Sequence, residues 1–367
     1  MRGGGRDRAK ARQNYDAAIK ADPAFALAWY YRGVLREATP DYTGALSDFG
    51  EALRLDPDNL DAARERGVVF EDMDRLPDAV RVYDAILKSH PDDATTFTYR
   101  GSARRDTGNL KGALADLDTA IAKDPDQQRA YRVRADVFDK QNRLDDAIAS
   151  DEAGLKRKAD DGETLSDLAE FYQRAGKLDL ALARINSAIK ADSANADYLV
   201  TRAKILVRTG DKKGAGADYD AAIKSDPKST FALNARGLYR FDNGDYEPAI
   251  ADFDAATLID AKYDPAYFNR GLAFAALERF DRAIREYDAY LRLVPGDVDA
   301  LNNKGECYRR LGDELRAIDE FDGAISAKPQ LALAWWRRGL SKESMGDVAG
   351  ARADKAQARR LDAHVGE

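Results

Sequence analysis

The chain has 367 residues, 44% hydrophobic and 34% charged, and this composition excludes a collagen-like or wholly disordered protein. No charge-free apolar run approaches the roughly 18 residues of a membrane span. The single cysteine, Cys307, excludes an intramolecular disulfide and a cysteine zinc cluster. The net charge of −7 argues against a polyanionic partner such as nucleic acid.

One sequence pattern recurs every 34 residues. Seven prolines fall on this spacing: Pro23, Pro57, Pro91, Pro125, Pro227, Pro295 and Pro329. Because a fixed period indicates a repeat architecture, the frame predicts ten tandem repeats over residues 26–365. They start at residues 26, 60, 94, 128, 162, 196, 230, 264, 298 and 332, without insertion or deletion.

Residues 1–25 come first and match only the second half of a repeat, so they are predicted to form an N-terminal half repeat. Its basic start is followed by no apolar segment, which is unlike a signal peptide. We expect a truncated start, so that an upstream signal or further domain would lie outside this sequence. The cytoplasm is therefore only a default compartment.

Within each repeat, small and large residues alternate in a way that predicts two packed helices. Position 20 is alanine in all ten repeats and position 8 is glycine or alanine in all ten, while positions 4 and 24 are mostly large. Glycine at position 15 in six repeats predicts the end of the first helix, helix A, and proline at position 32 predicts the end of the second, helix B. Such a hairpin needs its neighbours to bury its apolar face.

The 34-residue length, the helix pair and the large–small pattern of each repeat resemble those of the tetratricopeptide repeat family. The whole chain resembles a bacterial-type array of many such repeats. The resemblance implies an all-α fold, a right-handed α-solenoid superhelix whose helices A line a concave groove. It also implies a protein or peptide partner, whose identity the functionally broad family does not specify. We expect no cofactor and no metal.

Position 7 departs from the family, which usually has an apolar residue there. It is arginine in eight repeats, Lys304 in repeat nine and Leu168 in repeat five. Each of the nine cations has an acid at position 23 or 25 of its own repeat, namely Asp48, Asp84, Asp116, Glu152, Asp218, Asp252, Glu286, Glu320 and Asp354. We therefore predict that the cation of helix A binds the carboxylate of helix B in each such repeat. The alternatives are a link to the preceding repeat, in which Arg202 would face Arg184, and a merely solvated acidic face.

Two repeats carry unusual core residues. Repeat four has Asp151 at position 24 and Gly154 at position 27, and we predict a hinge near 151–162, to be tested by hydrogen exchange. Repeat ten has Lys355 at position 24 and a polar outer face, which predicts a C-terminal cap.

The family's groove positions are 2, 5, 9, 12 and 13 of helix A, with position 6 nearby. In repeats two to six they carry mixed charges that we expect to be solvated: Asp61, Arg64, Glu71, Asp72, Arg129, Arg132, Asp136, Glu170, Arg174, Lys204 and Arg208. The candidate partner-binding residues follow: Phe231, Asn234, Leu238, Phe241, Phe268, Asn269, Leu272, Asn302, Asn303, Arg309 and Arg310, with Trp336. Apolar side chains beside amides and arginines suit an extended peptide, unless they only close the core between repeats.

Catalytic groups are sparse. His90 and His364 lie apart, and Cys307 has the position of a small helix residue, so we predict no enzyme. The residues around Asn269 and Asn303 also fail to complete the carboxylate clamp of related co-chaperones. The predicted function is a protein-interaction scaffold. The alternatives are self-assembly through the N-terminal half repeat, or a regulatory or substrate-recruiting region of a larger enzyme such as a glycosyltransferase.

Overall fold

The structure, a computed structural model, describes residues 3–366, with side chains from residue 8 onward, and this part of the chain is all α-helical. Its 21 helices are α1 Gly3–Ala21, α2 Ala26–Glu37, α3 Tyr42–Leu55, α4 Leu60–Asp72, α5 Leu76–Ser89, α6 Ala94–Asp106, α7 Leu110–Lys123, α8 Gln128–Lys140, α9 Leu144–Arg157, α10 Gly162–Arg174, α11 Leu178–Ala191, α12 Ala196–Thr209, α13 Lys212–Ser225, α14 Thr230–Asp242, α15 Tyr246–Ile259, α16 Asp264–Ala276, α17 Phe280–Leu293, α18 Val298–Arg310, α19 Glu314–Ala327, α20 Ala332–Ser344 and α21 Val348–Leu361.

The chain divides into two compact bodies, Met1–Ala191 and Asp192–Glu367. The N-terminal body holds α1, in the predicted half repeat, and α2–α11 of the predicted repeats one to five, and the C-terminal body holds α12–α21 of the predicted repeats six to ten. Within each body, helix A packs on helix B of its own repeat, and helix B packs on helix A of the next. This consecutive packing makes the fold an all-α solenoid, as the period predicted.

The turns between helices A and B confirm the predicted helix ends. The six glycines at position 15 all have positive φ, for example Gly210 at φ 87°. Glycine has no Cβ and adopts this left-handed conformation without strain, so it ends helix A. Asp74, Asn142 and Glu278 take the same conformation at position 15 of repeats two, four and eight, with φ of 56–58°.

The pairing of a glycine at position 8 with an aromatic ring at position 24 forms the centre of repeats one, two, seven, eight and nine. A Cβ added to Gly237 would lie 2.5 Å from the Phe253 ring, and one added to Gly67 would lie 2.3 Å from the Tyr83 ring. The ring therefore rests directly on the backbone of helix A, and Phe253 is fully buried. Replacing such a ring by alanine would cost about 3–5 kcal/mol.

The position-7 cations bind acids as predicted in repeats one, three and six to ten. Arg202 donates from Nε and Nη2 to the two carboxylate oxygens of Asp218, at 2.7 Å each. Arg100 binds Asp116 in the same bidentate manner, at 2.9 and 2.6 Å. Planar guanidinium and carboxylate groups match in this geometry, so each pair joins helix A to helix B.

The same cations also reach the preceding repeat, so the two predicted arrangements occur together. Arg100 Nη1 donates to Asp84 at 2.7 Å, and Arg236 Nη1 donates to Asp220 at 2.8 Å. The prediction was wrong for repeats two and four, whose acids lie at position 25. Asp84 binds the next repeat's arginine, and Glu152 accepts a hydrogen bond from Tyr172. Position 25 points towards the following repeat, which the sequence period alone does not reveal.

Repeat four buries an acid where the other repeats, except repeat ten, bury an apolar side chain. Asp151 is 0% exposed, and neither of its carboxylate oxygens has a hydrogen-bond partner among the described residues. Burial, together with Asp167 and Asp136, raises the pKa of Asp151 to about 9. Helices α9 and α10 pack on each other across 151–162, and the hinge there stays a prediction.

Within residues 3–366, no helix is long and apolar enough to cross a membrane.

Candidate interaction site

Helices α12, α13 and α14 of the C-terminal body enclose a concave pocket of about 450 Å³, here called the Phe231 pocket. Its lining residues are Lys204, Val207, Lys212, Tyr219, Phe231, Asn234, Ala235, Leu238, Tyr239, Asp242 and Asn243. Three of the predicted groove residues, Phe231, Asn234 and Leu238, meet here. Val207 and Phe231 stay 40% and 37% exposed, so the pocket offers an apolar wall to solvent.

A lysine covers one face of this wall. The Nζ atom of Lys204 lies 4.5 Å from the centroid of the Phe231 ring. The negative face of an aromatic ring attracts a cation, which holds the ammonium group at the pocket edge. The sequence interpretation placed Lys204 among merely solvated charges. The structure instead places it in contact with a candidate anchor residue of the next repeat.

The floor of the pocket is formed by two tyrosine rings and is held by hydrogen bonds. The rings of Tyr219 and Tyr239 lie 5.3 Å apart, and burial, with Tyr239 and Asp242 as neighbours, raises the pKa of Tyr219 to about 12. The Tyr239 hydroxyl donates to the carbonyl oxygen of Lys212 at 2.8 Å. Lys212 Nζ in turn donates to Asn243 Oδ1 at 2.9 Å. These bonds join the start of α13 to the end of α14 at the pocket.

Two of the predicted asparagines are joined beside the pocket. Asn269 Nδ2 donates to Asn234 Oδ1 at 2.9 Å, and Asn234 is 8% exposed. This bond uses the carbonyl oxygen of Asn234, so its Nδ2 group still has two N–H donors. Asn234 also lines the Phe231 pocket.

Three other candidates pack into the core instead. Phe268 lies against Tyr287 and Tyr290, with ring centroids 5.9 and 5.2 Å apart. Phe241 and Leu272 are likewise partly buried against the core of repeats seven and eight, and none of the three lines the Phe231 pocket. Their placement matches the alternative that such residues close the core between repeats, and a binding role for them stays a prediction.

The candidates of repeats nine and ten do not join the pocket either. Arg309 and Arg310 both bind Glu306, at 2.7–3.1 Å, and Asn303 is partly buried nearby on the same helix. Asn302 is 4% exposed, and its Oδ1 has no partner among the described residues. Each of these two arginines therefore already has a carboxylate partner within the chain, although a single carboxylate does not neutralise both.

Trp336 is covered by cations and by the C-terminal end. Lys355 Nζ and the Arg359 guanidinium lie 5.5 and 5.2 Å from its ring centroid. A Cβ on Gly366 would fall 2.2 Å from the indole, so this backbone rests on the ring. A partner would have to displace these groups in order to reach Trp336.

Comparison with protein-family models decides the family. A tetratricopeptide repeat model matches residues 3–58, 201–265, 234–297 and 268–332, and a second tetratricopeptide repeat model matches 67–137. A model of the N-terminal tetratricopeptide repeat region of Psidin matches 104–232. The chain belongs to the tetratricopeptide repeat family.

Solved structures agree with this tetratricopeptide repeat fold. The Cut9–Hcn1 hetero-tetramer of the APC/C matches at 13% identity and a TM-score of 0.53, covering 96% of this chain and 78% of the matched chain. PilW, a type IV pilus biogenesis factor, matches at 22% identity and a TM-score of 0.51, and the match covers 56% of this chain and 95% of PilW. Pseudomonas aeruginosa PilF matches at 19% identity and a TM-score of 0.50, and the match covers 55% of this chain and 92% of PilF. No curated protein sequence matches the chain significantly.

The reactive side chains of this tetratricopeptide repeat protein lie apart from the pocket. Cys307 is 2% exposed, and burial, with Glu306 nearby, raises the pKa of its thiol to about 12. A thiol with such a pKa is almost fully protonated at neutral pH and is a poor nucleophile. Within residues 3–366, no cluster of three His, Cys, Asp or Glu side chains has a geometry for holding a metal ion.

The sequence interpretation missed most of the pocket walls. Tyr219 and Lys212 belong to helix B, which was assigned to the core and turn rather than to the groove. Lys204 and Phe231 are 27 residues apart, so they occupy different positions in neighbouring repeats. Comparing position 9 of one repeat with position 2 of the next would have paired them.

Proposed function

We propose that this tetratricopeptide repeat protein is a non-catalytic scaffold that binds an extended segment of a partner protein at the Phe231 pocket. The exposed apolar wall of Val207 and Phe231, with the Asn234 amide beside it, carries the proposal. An apolar side chain of the partner would enter the pocket as an anchor, while the amide would bind the partner's backbone. The buried, protonated thiol of Cys307 supports a role without catalysis.

The charges at the pocket favour a partner segment with an acid next to its anchor. Among the described side chains, Lys204 contacts the Phe231 ring and Lys212 binds an amide, and neither forms a salt bridge. Asp242 is the acid that lines the pocket. Two ammonium groups against one carboxylate leave a positive edge on a chain of net charge −7. The same net charge supports a protein rather than a nucleic acid as the partner.

The structural neighbours support the fold and nothing finer. The Cut9–Hcn1 complex is an assembly of protein subunits, and PilW is a pilus biogenesis factor. At 13% and 22% identity these likenesses show the fold alone, so neither supplies a partner for this chain.

The test begins with a photo-crosslinking amino acid at Val207, which lines the pocket, and a matched control at Leu258, which is 87% exposed on α15. A partner captured from native lysate at Val207 is then reduced to its shortest bound segment. The affinity of that peptide is measured for the unaltered protein, for Phe231→Ala and for Leu258→Ala.

We expect Phe231→Ala to lower the affinity for the peptide by about tenfold or more, because central aromatic residues dominate the binding energy of such interfaces. Leu258→Ala should leave the affinity unchanged. Equal capture from both positions, or equal affinity of the two variants, would contradict a partner site in this pocket.

Self-association is a second candidate function, favoured by apolar residues at the start of the N-terminal body. Phe25, Leu27 and Tyr31 are each 46–48% exposed, and Tyr31 stacks on Tyr15 of α1 with ring centroids 6.0 Å apart. Light scattering over a range of concentrations tests this function. A mass that rises with concentration, and falls in a Leu27→Asp variant, would support it. The regulatory role within a larger enzyme stays a prediction.

A further inference from the structure

Repeat two breaks the pattern of paired cations. Arg66 occupies position 7 on α4, but position 23 of its own repeat is Val82 and position 25 of the preceding repeat is Gly50. Both carboxylates that bind this arginine elsewhere are therefore missing. The Nε atom of Arg66 is buried, and it has no hydrogen-bond partner among the described residues.

A third change opens space beside this arginine. In five other repeats an aromatic ring at position 4 lies under the position-7 guanidinium, 4.7–5.5 Å from its carbon: Trp29, Phe97, Tyr131, Tyr267 and Trp335. Repeat two has Ala63 there, and a pocket of about 470 Å³ lies at this point. Leu53, Leu60, Phe70, Val82 and Ile86 form apolar walls, and Arg66 lines the same space.

The other repeats show which chemical group this arginine binds. In repeats three and seven, Nε and Nη2 of the equivalent arginine hold both oxygens of one carboxylate, at 2.6–3.0 Å. In repeat two the equivalent arginine lines a pocket with apolar walls. We propose that this pocket, here called the Arg66 pocket, binds a carboxylate carried on a short apolar chain, with Arg66 as the cation that binds it.

The fold itself does not require an arginine at this position. Leu168 occupies position 7 of repeat five and is fully buried, so an apolar side chain packs there. A buried donor without a partner is destabilising. Repeat two therefore retains a cation that contributes no ion pair within the chain, and an external carboxylate would supply the missing acceptor.

The charged groups around the pocket do not oppose an anion. Asp78 lines it, but hydrogen bonds from Arg75 and Arg81 neutralise this carboxylate and lower its pKa. His90 lies at the other end, where its Nδ1 is 3.0 Å from the Ser89 hydroxyl. Arg66 is thus the cation of this pocket that is not already bound to a carboxylate.

The test is a titration of the whole chain, labelled with ¹³C in its valine and isoleucine methyl groups, against hexanoate and its neutral isostere hexanamide. We expect the methyl resonances of Val82 and Ile86 to shift and saturate with hexanoate. Its dissociation constant should be about tenfold lower than that of hexanamide, as a charge-assisted bidentate pair implies. Equal binding of the two compounds, or no shift of these methyl groups, would overturn the proposal.

A second pair of probes distinguishes the two sources of such a carboxylate. An acetylated tripeptide ending in leucine is titrated with a free C-terminal carboxylate and with a C-terminal amide. Tighter binding of the free peptide than of hexanoate would assign the site to a polypeptide C-terminus. Tighter binding of hexanoate would assign it to a small organic acid.

Three variants locate the binding. Arg66→Gln removes the cation, and Val82→Asp restores the acid of position 23 so that Arg66 is bound within the chain. Both variants should lower the affinity for hexanoate by about tenfold or more. Val82→Asp repeats a pairing that the fold already uses, so it tests the proposal even if Arg66→Gln fails to fold. Arg54→Gln alters an exposed arginine of α3 that does not line the pocket, and it should change the affinity less than about twofold. Unchanged binding in Arg66→Gln or Val82→Asp would refute the role of Arg66.

Discussion

Replacing Asp151 by asparagine should stabilise the protein at neutral pH. Asp151 is 0% exposed, its two carboxylate oxygens have no partners among the described residues, and its pKa is raised to about 9. Burial is the main cause. Asp167 and Asp136 raise the pKa further, Arg132 opposes them, and Asp161 adds a smaller repulsion. Folding at pH 7 must therefore protonate a carboxyl group that is ionised in the unfolded chain.

The size of the effect follows from this difference in pKa. The unfolded value is 3.8, and each pKa unit corresponds to about 1.4 kcal/mol, so protonation at pH 7 costs about 4 kcal/mol. Because the pKa is higher in the folded state, this loss is absent below about pH 4 and grows as the pH rises towards about 9. Asparagine cannot ionise, and its amide buries polar atoms much as the neutral acid does. The variant should therefore avoid this loss.

The assay is urea unfolding followed by far-ultraviolet circular dichroism at several pH values between 5 and 8. The free energy of unfolding of Asp151→Asn, minus that of the unaltered protein, should grow by about 1.4 kcal/mol per pH unit. The matched control is Asp116→Asn in repeat three, whose carboxylate binds Arg100 and Arg104. It should lose about 1.5–3 kcal/mol, because the two arginines lose a charged acceptor and keep only Asp84. A difference that does not change with pH would refute a buried, protonated Asp151.

Two further predictions concern packing and reactivity. Gly67→Ala should destabilise the protein by about 1–3 kcal/mol, because its Cβ would overlap the tyrosine ring of the same repeat. The control is Gly50→Ala, whose Cβ would have nothing within 4 Å, and it should stabilise the protein by about 1 kcal/mol. Thermal unfolding of both variants compares them. Equal shifts of the unfolding temperature would contradict the close contact at Gly67. Cys307 should react with a disulfide reagent far more slowly in the native chain than in urea, because its thiol is buried and protonated. The reaction is followed by absorbance. Equal rates in the two conditions would show that the thiol is accessible.

Much of the local structure was predictable from single repeats. The 34-residue spacing, the glycines at position 15 and the prolines at position 32 predicted where helices end, because left-handed φ and a missing N–H are properties of the residue itself. The glycine and aromatic pair of positions 8 and 24 predicted the core in the same way. The bidentate arginine pairs within repeats followed from the antiparallel helix pair.

The contacts between repeats could not be predicted in this way. Arg100 reaches Asp84, and Lys204 covers Phe231, only because neighbouring helices pack with a particular rotation. Phe268 and Phe231 have similar chemistry, yet one packs on tyrosines and the other faces solvent.

The amino-acid sequence by itself therefore determined the family, the helices and the small–large core of each repeat, since these depend on residue properties and short-range spacing. Only the tertiary structure decided which groove residues form the Phe231 pocket, and which cation, Arg66, lacks the partners that its equivalents have. Both depend on side chains from neighbouring repeats that meet in space, and a repeat period does not specify how those side chains are oriented towards each other.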